Sequence, residues 1–120
     1  MPFMTVRLNK RLERERELEL KTRIGKAIGL VPGKSEQSLL LTIEDGCRIY
    51  LRGDGEYAAA CVELAVFGNE SHDGYDRLTR ELAQIFLDVA GVKSERFYIR
   101  YTDIPVWGVA DTTFDRKDYW

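Results

Sequence analysis

The sequence is poor in the residues on which metal and thiol chemistry are built. It has two cysteines, Cys47 and Cys61, and one histidine, His72. The thiols stand 14 positions apart, and such a set is too small and too widely spaced for a structural zinc site, so buried free thiols are expected. His72 falls in the polar run 69–74, where a surface role or the start of a helix is the expected use. Long apolar runs are also missing. The longest, 39–41 and 58–62, fall far short of a bilayer span. Charges from Arg7 to Arg23 stand where a signal peptide would carry its apolar region, so the cytoplasm is the expected compartment. Nor is there an excess of one charge. Eighteen basic and 20 acidic residues leave a net charge of −2, which excludes a field drawing the chain to nucleic acid or to an anionic membrane.

What is present fits one folded domain over residues 1–120, with 115–120 as a tail. Hydrophobic residues make up 44% and charged residues 32%, a globular balance. Residues 3–8 alternate and read as a strand. Leu20, Ile24, Ala27, Ile28 and Val31 recur at steps of three and four, which predicts an amphipathic helix over about 12–29. The Arg/Glu run along it alternates in sign, with Glu17 to Lys21 and Glu19 to Arg23 at i,i+4, and reads as a solvated, ion-paired face. Gly29, Pro32 and Gly33 stop that helix.

Residues 38–43 read as a strand buried on both faces, and 47–51 as a hairpin partner or an edge strand. The order then repeats. Residues 57–67 read as a strand, and Tyr75, Leu78, Leu82, Ile85, Phe86 and Val89 predict a helix ending at Gly91. Residues 96–101 form another strand. The fold class is therefore α/β (α+β): two βαβ repeats forming a mixed, mostly parallel four-stranded sheet with both helices on one face. Apolar runs at 39–43 and 58–62 call for cover on both faces, which two helices cannot give. A closed homo-oligomer is the expected solution.

The chain begins Met1-Pro2-Phe3-Met4. If Met1 is removed, as a small second residue usually permits, a secondary amine ends an apolar strand and becomes a candidate base. Proline is also simply tolerated at the first position of a strand.

Taken together, this start, the Gly33-Lys34 loop, the run 97–103, and Trp107-Gly108 followed by Thr112-Thr113-Phe114 resemble the tautomerase superfamily, in its macrophage migration inhibitory factor branch. The resemblance runs from Pro2 to Phe114. It implies a homotrimer whose sheets enclose a central channel, and keto–enol tautomerisation of a small α-keto acid such as phenylpyruvate, with no metal or organic cofactor. It makes Pro2 the base and has Lys34 hold the substrate carboxylate. Tyr98 and Arg100 reach in from a neighbouring subunit, while Val66 and the segment with Trp107 and Val109 form apolar walls. Residue chemistry agrees with these roles. An apolar pocket of Phe3, Val66, Trp107 and Phe114 lowers an amine's proton affinity, a cationic Lys34 acts the same way, and Tyr98 can donate to an enolate oxygen. Without the family, Lys34 is equally a solvated loop charge, and Tyr98 and Trp107 are core or interface aromatics.

Several positions depart from the family pattern. Ala58-Ala59-Ala60-Cys61 lacks the first cysteine of a Cys-x-x-Cys pair, so thiol–disulfide chemistry is not carried over. Arg100 stands where relatives carry asparagine, the final loop lacks the Gly-Trp-Asn order, and the tail runs on past the usual end. These departures motivate an alternative of another class, a trimeric binding or signalling protein with a protein partner and a vestigial or ligand-binding pocket.

Overall fold

In the computed structural model, which describes residues 1–119, the chain opens directly into β1 (Pro2–Leu8). It continues through α1 (Arg14–Ala27), β2 (Leu40–Glu44), β3 (Ala60–Val66), α2 (Tyr75–Ala90), β4 (Phe97–Asp103), β5 (Val106–Val109) and β6 (Thr112–Asp115). The first four strands form one sheet in the order β2-β1-β3-β4, and β5 and β6 form a separate hairpin. β1 is parallel to β2 and β3 to β4, while β1 and β3 meet antiparallel. Two βαβ units thus join along their first strands, giving the mixed sheet.

Alternation along the strands decides what is buried. Met4, Val6 and Leu8 of β1 and Val62, Leu64 and Val66 of β3 share one core with Leu20, Ile24 and Ile28 of α1 and with Leu78, Leu82, Ile85 and Phe86 of α2. Each such side chain contributes about 2 kcal/mol through burial. α2 starts at Gly74 (φ +85), where a side chain would meet the Leu30 carbonyl oxygen at 2.1 Å. Glycine there lets α2 seat against the end of α1.

The opposite face of the sheet is open, and it is not the apolar surface expected from the runs at 39–43 and 58–62. Register places three rows across it: Leu40, Phe3, Ala65 and Thr102; then Thr42, Thr5, Glu63 and Arg100; then Glu44, Arg7, Cys61 and Tyr98. Arg7 pairs with Glu44 and Arg100 with Glu63, both at 2.7 Å. Each run places only alternate residues on the helices, so burial on both faces fails for β2 and β3 alike.

Element ends move for local reasons. α1 begins at Arg14, two residues later than expected, because the Leu12 N–H donates to Asp45 Oδ2 at 2.7 Å and Glu13 is extended. Its charged face is ion-paired, through Arg14–Glu17, Arg16–Glu19 and Arg23–Glu19, but Lys21 turns to Glu36 at 3.2 Å instead of to Glu17. β3 starts only at Ala60, since Tyr57 and Ala59 bond to the side chain of Asn9. Residues 47–51 form no strand of their own and make one isolated bridge, Leu51 to Asp54. His72 holds Asp103 at 2.9 Å and stacks on Tyr75.

The 45–59 connection is pinned by Arg96, which is buried, donates to the carbonyls of Ala58, Tyr57 and Asp54, and pairs with the Asp54 carboxylate at 3.1 Å. Arg96→Ala strands these acceptors together with a carboxylate. It is expected to lower the unfolding free energy by about 2–4 kcal/mol, read by urea denaturation.

Candidate functional site

The site is built at the sheet end where β1 starts. β1 is an inner strand, bonded on both sides, so the chain's first residues are fixed rather than frayed. Pro2 stands opposite Val66, and the Phe67 N–H donates to the Met1 carbonyl oxygen at 3.1 Å. Lys34 arrives through the turn after α1, where its own N–H donates to the Val31 carbonyl at 3.0 Å. Its ammonium lies against Gly68, where a Cβ would sit 3.4 Å from Nζ. The terminal α-amine, here that of Met1, has its pKa lowered from 8.0 to about 5. Desolvation is the largest cause, followed by the Lys34 charge and a hydrogen bond from Lys34. An amine in this setting is neutral at physiological pH and able to take a proton.

An apolar cleft of about 590 Å³ is lined by Met1, by Phe3, Leu39 and Leu40, and by Trp107 and Val109 of β5. The rings of Phe3 and Trp107 lie 4.7 Å apart at 52°. Gln37 and Ser38 form its polar edge, on a 3-10 turn begun by the Ser35 side chain accepting from the Gln37 N–H. A larger depression of about 680 Å³ lies between α1 and β2, lined by Leu18, Leu41 and Ile43 and by the charged Glu17, Lys21 and Glu36. The amine and its shifted proton affinity single out the smaller cleft. Among the described residues, no group of three or more His, Cys, Asp or Glu could hold a metal ion. No helix of the described residues is long and apolar enough to cross a membrane.

Phe3, Trp107 and Val109 line the cleft together with Met1, whose amine meets Lys34 and whose neighbour in the chain is Pro2. Phe114 pairs with Trp107 across the hairpin and backs the wall. Val66 lies under the site, but its side chain is buried in the helical core rather than in the cleft. Tyr98 and Arg100 are elsewhere. Asp103 is level with Val66, and Tyr98 lies five positions back along β4, about 17 Å away within one chain. Arg100 is held by Glu63. The sequence reading passed over Gln37, Ser38, Leu39 and Leu40 and, above all, the Phe67 N–H, since a backbone donor leaves no mark on residue identity.

These causes make separable predictions. In Lys34→Ala the midpoint of the terminal amine, followed by NMR, is expected to rise above about 5 yet stay below 8.0, because desolvation outweighs the Lys34 charge. A midpoint unchanged by the substitution would contradict the pairing.

Residues 1–114 match the family model described as macrophage migration inhibitory factor. Solved structures agree on the fold. The chain is 23% identical to a macrophage migration inhibitory factor (MIF2) from Leishmania major, with a TM-score of 0.86 over 95% of this chain and 97% of that one. A macrophage migration inhibitory factor-like protein from Entamoeba histolytica matches at 16% identity and a TM-score of 0.83, over 94% and 98%. A third structure, Pt0534 inactivated by 2-oxo-3-pentynoate, matches at 15% identity and 0.79, over 90% and 92%. No match was found among curated protein sequences. With its start, both repeats and the closing hairpin inside one match, the chain belongs to the macrophage migration inhibitory factor family.

Proposed function

We propose that the chain, with Met1 removed, is a cofactor-independent keto–enol tautomerase of a phenylpyruvate-like α-keto acid, with Pro2 as its base. One observation carries this reading: Met1, which lines the apolar cleft, has its amine desolvated against Lys34 and its pKa lowered to about 5. In this reading the Pro2 nitrogen, once it is the chain's terminus, is desolvated by the same sheet end and faces the same Lys34 charge. Removing Met1 also frees the Phe67 N–H from the Met1 oxygen, leaving a backbone donor beside the base.

The substrate's aromatic end lies against the apolar wall that Phe3, Trp107 and Val109 form, and Lys34 takes its carboxylate. The Pro2 nitrogen accepts a proton from the carbon next to the keto group. The electrons of that C–H bond form the new carbon–carbon double bond, and those of the carbonyl move onto oxygen. The Phe67 N–H and Lys34 meet the charge developing there, and the protonated proline returns its proton to that oxygen. A relative's inactivation by a 2-oxo acid, 2-oxo-3-pentynoate, is in keeping with this substrate class.

The working unit is a homotrimer in this reading. Tyr98 is too far from Pro2 in its own subunit to serve the site, and the outer edge of β2 is unpaired, an arrangement that a neighbouring copy would complete. Arg100 enters beside Tyr98, with part of its charge balanced by Glu63. A binding or signalling role is the second reading, favoured by the exposed Tyr50 and Tyr57 on the 45–59 connection. Retention of Met1 in the native protein, seen by intact mass, would favour it.

Pro2→Gly keeps a residue that permits Met1 removal. It is expected to lower tautomerisation of phenylpyruvate by about a hundredfold or more, while protein retaining Met1 is inactive. Equal rates for the processed protein and Pro2→Gly would remove Pro2 from the mechanism. Light scattering is expected to give three times the 13.8 kDa chain mass, and a monomer would leave Tyr98 without a role.

A further inference from the structure

The family match ends at residue 114, whereas the chain turns back on itself beyond that point. The Asp115 side chain accepts from the Lys117 N–H at 3.0 Å, opening a short 3-10 turn at Arg116–Asp118. The Arg116 N–H donates to the Pro105 carbonyl at 2.9 Å, which fixes the tail to the start of the hairpin. From there two side chains reach the same loop. Arg116 Nη1 meets Glu70 Oε2 at 2.5 Å, and Tyr119 stands edge-on to Phe67 with ring centroids 6.2 Å apart at 83°. Phe114 backs Tyr119 at 6.5 Å.

Phe67 and Glu70 bracket Gly68. That glycine has φ +89 and lies where the Lys34 ammonium rests. Phe67 is buried, and its N–H is the donor at the chain's start. Both contacts at the chain's start, Lys34 with the terminal amine and the Phe67 N–H with the Met1 carbonyl oxygen, are therefore backed by the loop that the tail grips.

We infer that residues 115–119 form a strap that positions the base, with Arg116 and Tyr119 holding the loop 67–70 against Lys34 and the chain's N-terminus. Arg116 and Tyr119 are positioning residues and touch no reacting atom. The inference rests on the reading of the N-terminal amine as the working base. Loosening the strap lets water and a mobile Lys34 into the site, so both causes of the low proton affinity weaken together.

The test is an NMR titration of the isotope-labelled Pro2 nitrogen in the Met1-processed protein. Comparison is made with chains ending at Asp115, with Arg116→Glu, with the exchange Arg116→Glu/Glu70→Arg, and with Lys117→Ala as a control. The parent amine is expected to titrate well below 8.0. The shortened chain and Arg116→Glu are expected to move that midpoint up by about one pH unit, with recovery in the exchange and no change in Lys117→Ala. A folded shortened chain with the parental midpoint overturns the strap, as does a lower melting temperature without a shift in midpoint. If the shortened chain does not fold, Arg116→Glu and its exchange decide by the same readout. A parent midpoint near 8.0 overturns the base reading and takes the strap with it, and it shows in the parent arm alone.

Discussion

The structure depends on the chain beginning as an inner strand. A terminus at a sheet edge frays, but β1 lies between β2 and β3, bonded to both, with Met4, Val6 and Leu8 driven into the helical core. The positions of residues 1–3 are thereby set by the most buried part of the molecule. A mobile amine would keep its hydration and its ordinary proton affinity. A held one can be desolvated and placed against Lys34, and the lowered pKa follows from that confinement.

Everything near the amine then acts through backbone geometry more than through side-chain identity. Gly68 makes its turn at φ +89, a conformation that favours glycine, and the Lys34 ammonium rests against it. Phe67 contributes an N–H, and the Ser35 turn brings Leu39 and Leu40 to the cleft. Trp107 closes the other side from a hairpin outside the main sheet. The open face of that sheet follows another logic. Its Arg7–Glu44 and Arg100–Glu63 pairs make it a surface suited to water rather than to an apolar partner. The proposed trimer is thus supported by the placement of Tyr98 and the free edge of β2, not by the apolar face expected from the sequence.

How much was legible depended on the kind of signal. Helical periodicity in Tyr75, Leu78, Leu82, Ile85, Phe86 and Val89 marked α2, because those residues are its core face. Strand patterns marked β1 to β4 and with them the doubled βαβ order. Pro2, Lys34 and Trp107 were legible as a group through family likeness rather than through spacing, since they come together only in three dimensions. Other features left weaker traces. Runs of consecutive apolar residues at 39–43 and 58–62 were misleading, as β3 begins at Ala60 and turns Cys61 and Glu63 to the open side. The β5–β6 hairpin turns through Ala110 at φ 54 rather than through a glycine or asparagine, so the usual turn signal was missing. Val66 has the right residue type for a wall but the wrong parity along β3, and the neighbouring Phe67 amide holds the place beside the amine.

The central claim is that a neutral proline nitrogen stands at the cleft, and covalent mapping tests it most directly. Met1-processed protein is treated with an electrophilic 2-oxo acid such as 2-oxo-3-pentynoate at a pH between about 5 and 8.0, where an ordinary terminal amine is protonated. Peptide mass spectrometry then locates the adduct. The account predicts one adduct per chain, on the Pro2 nitrogen. Modification of Lys34, Cys47 or Cys61 with Pro2 left untouched would contradict it.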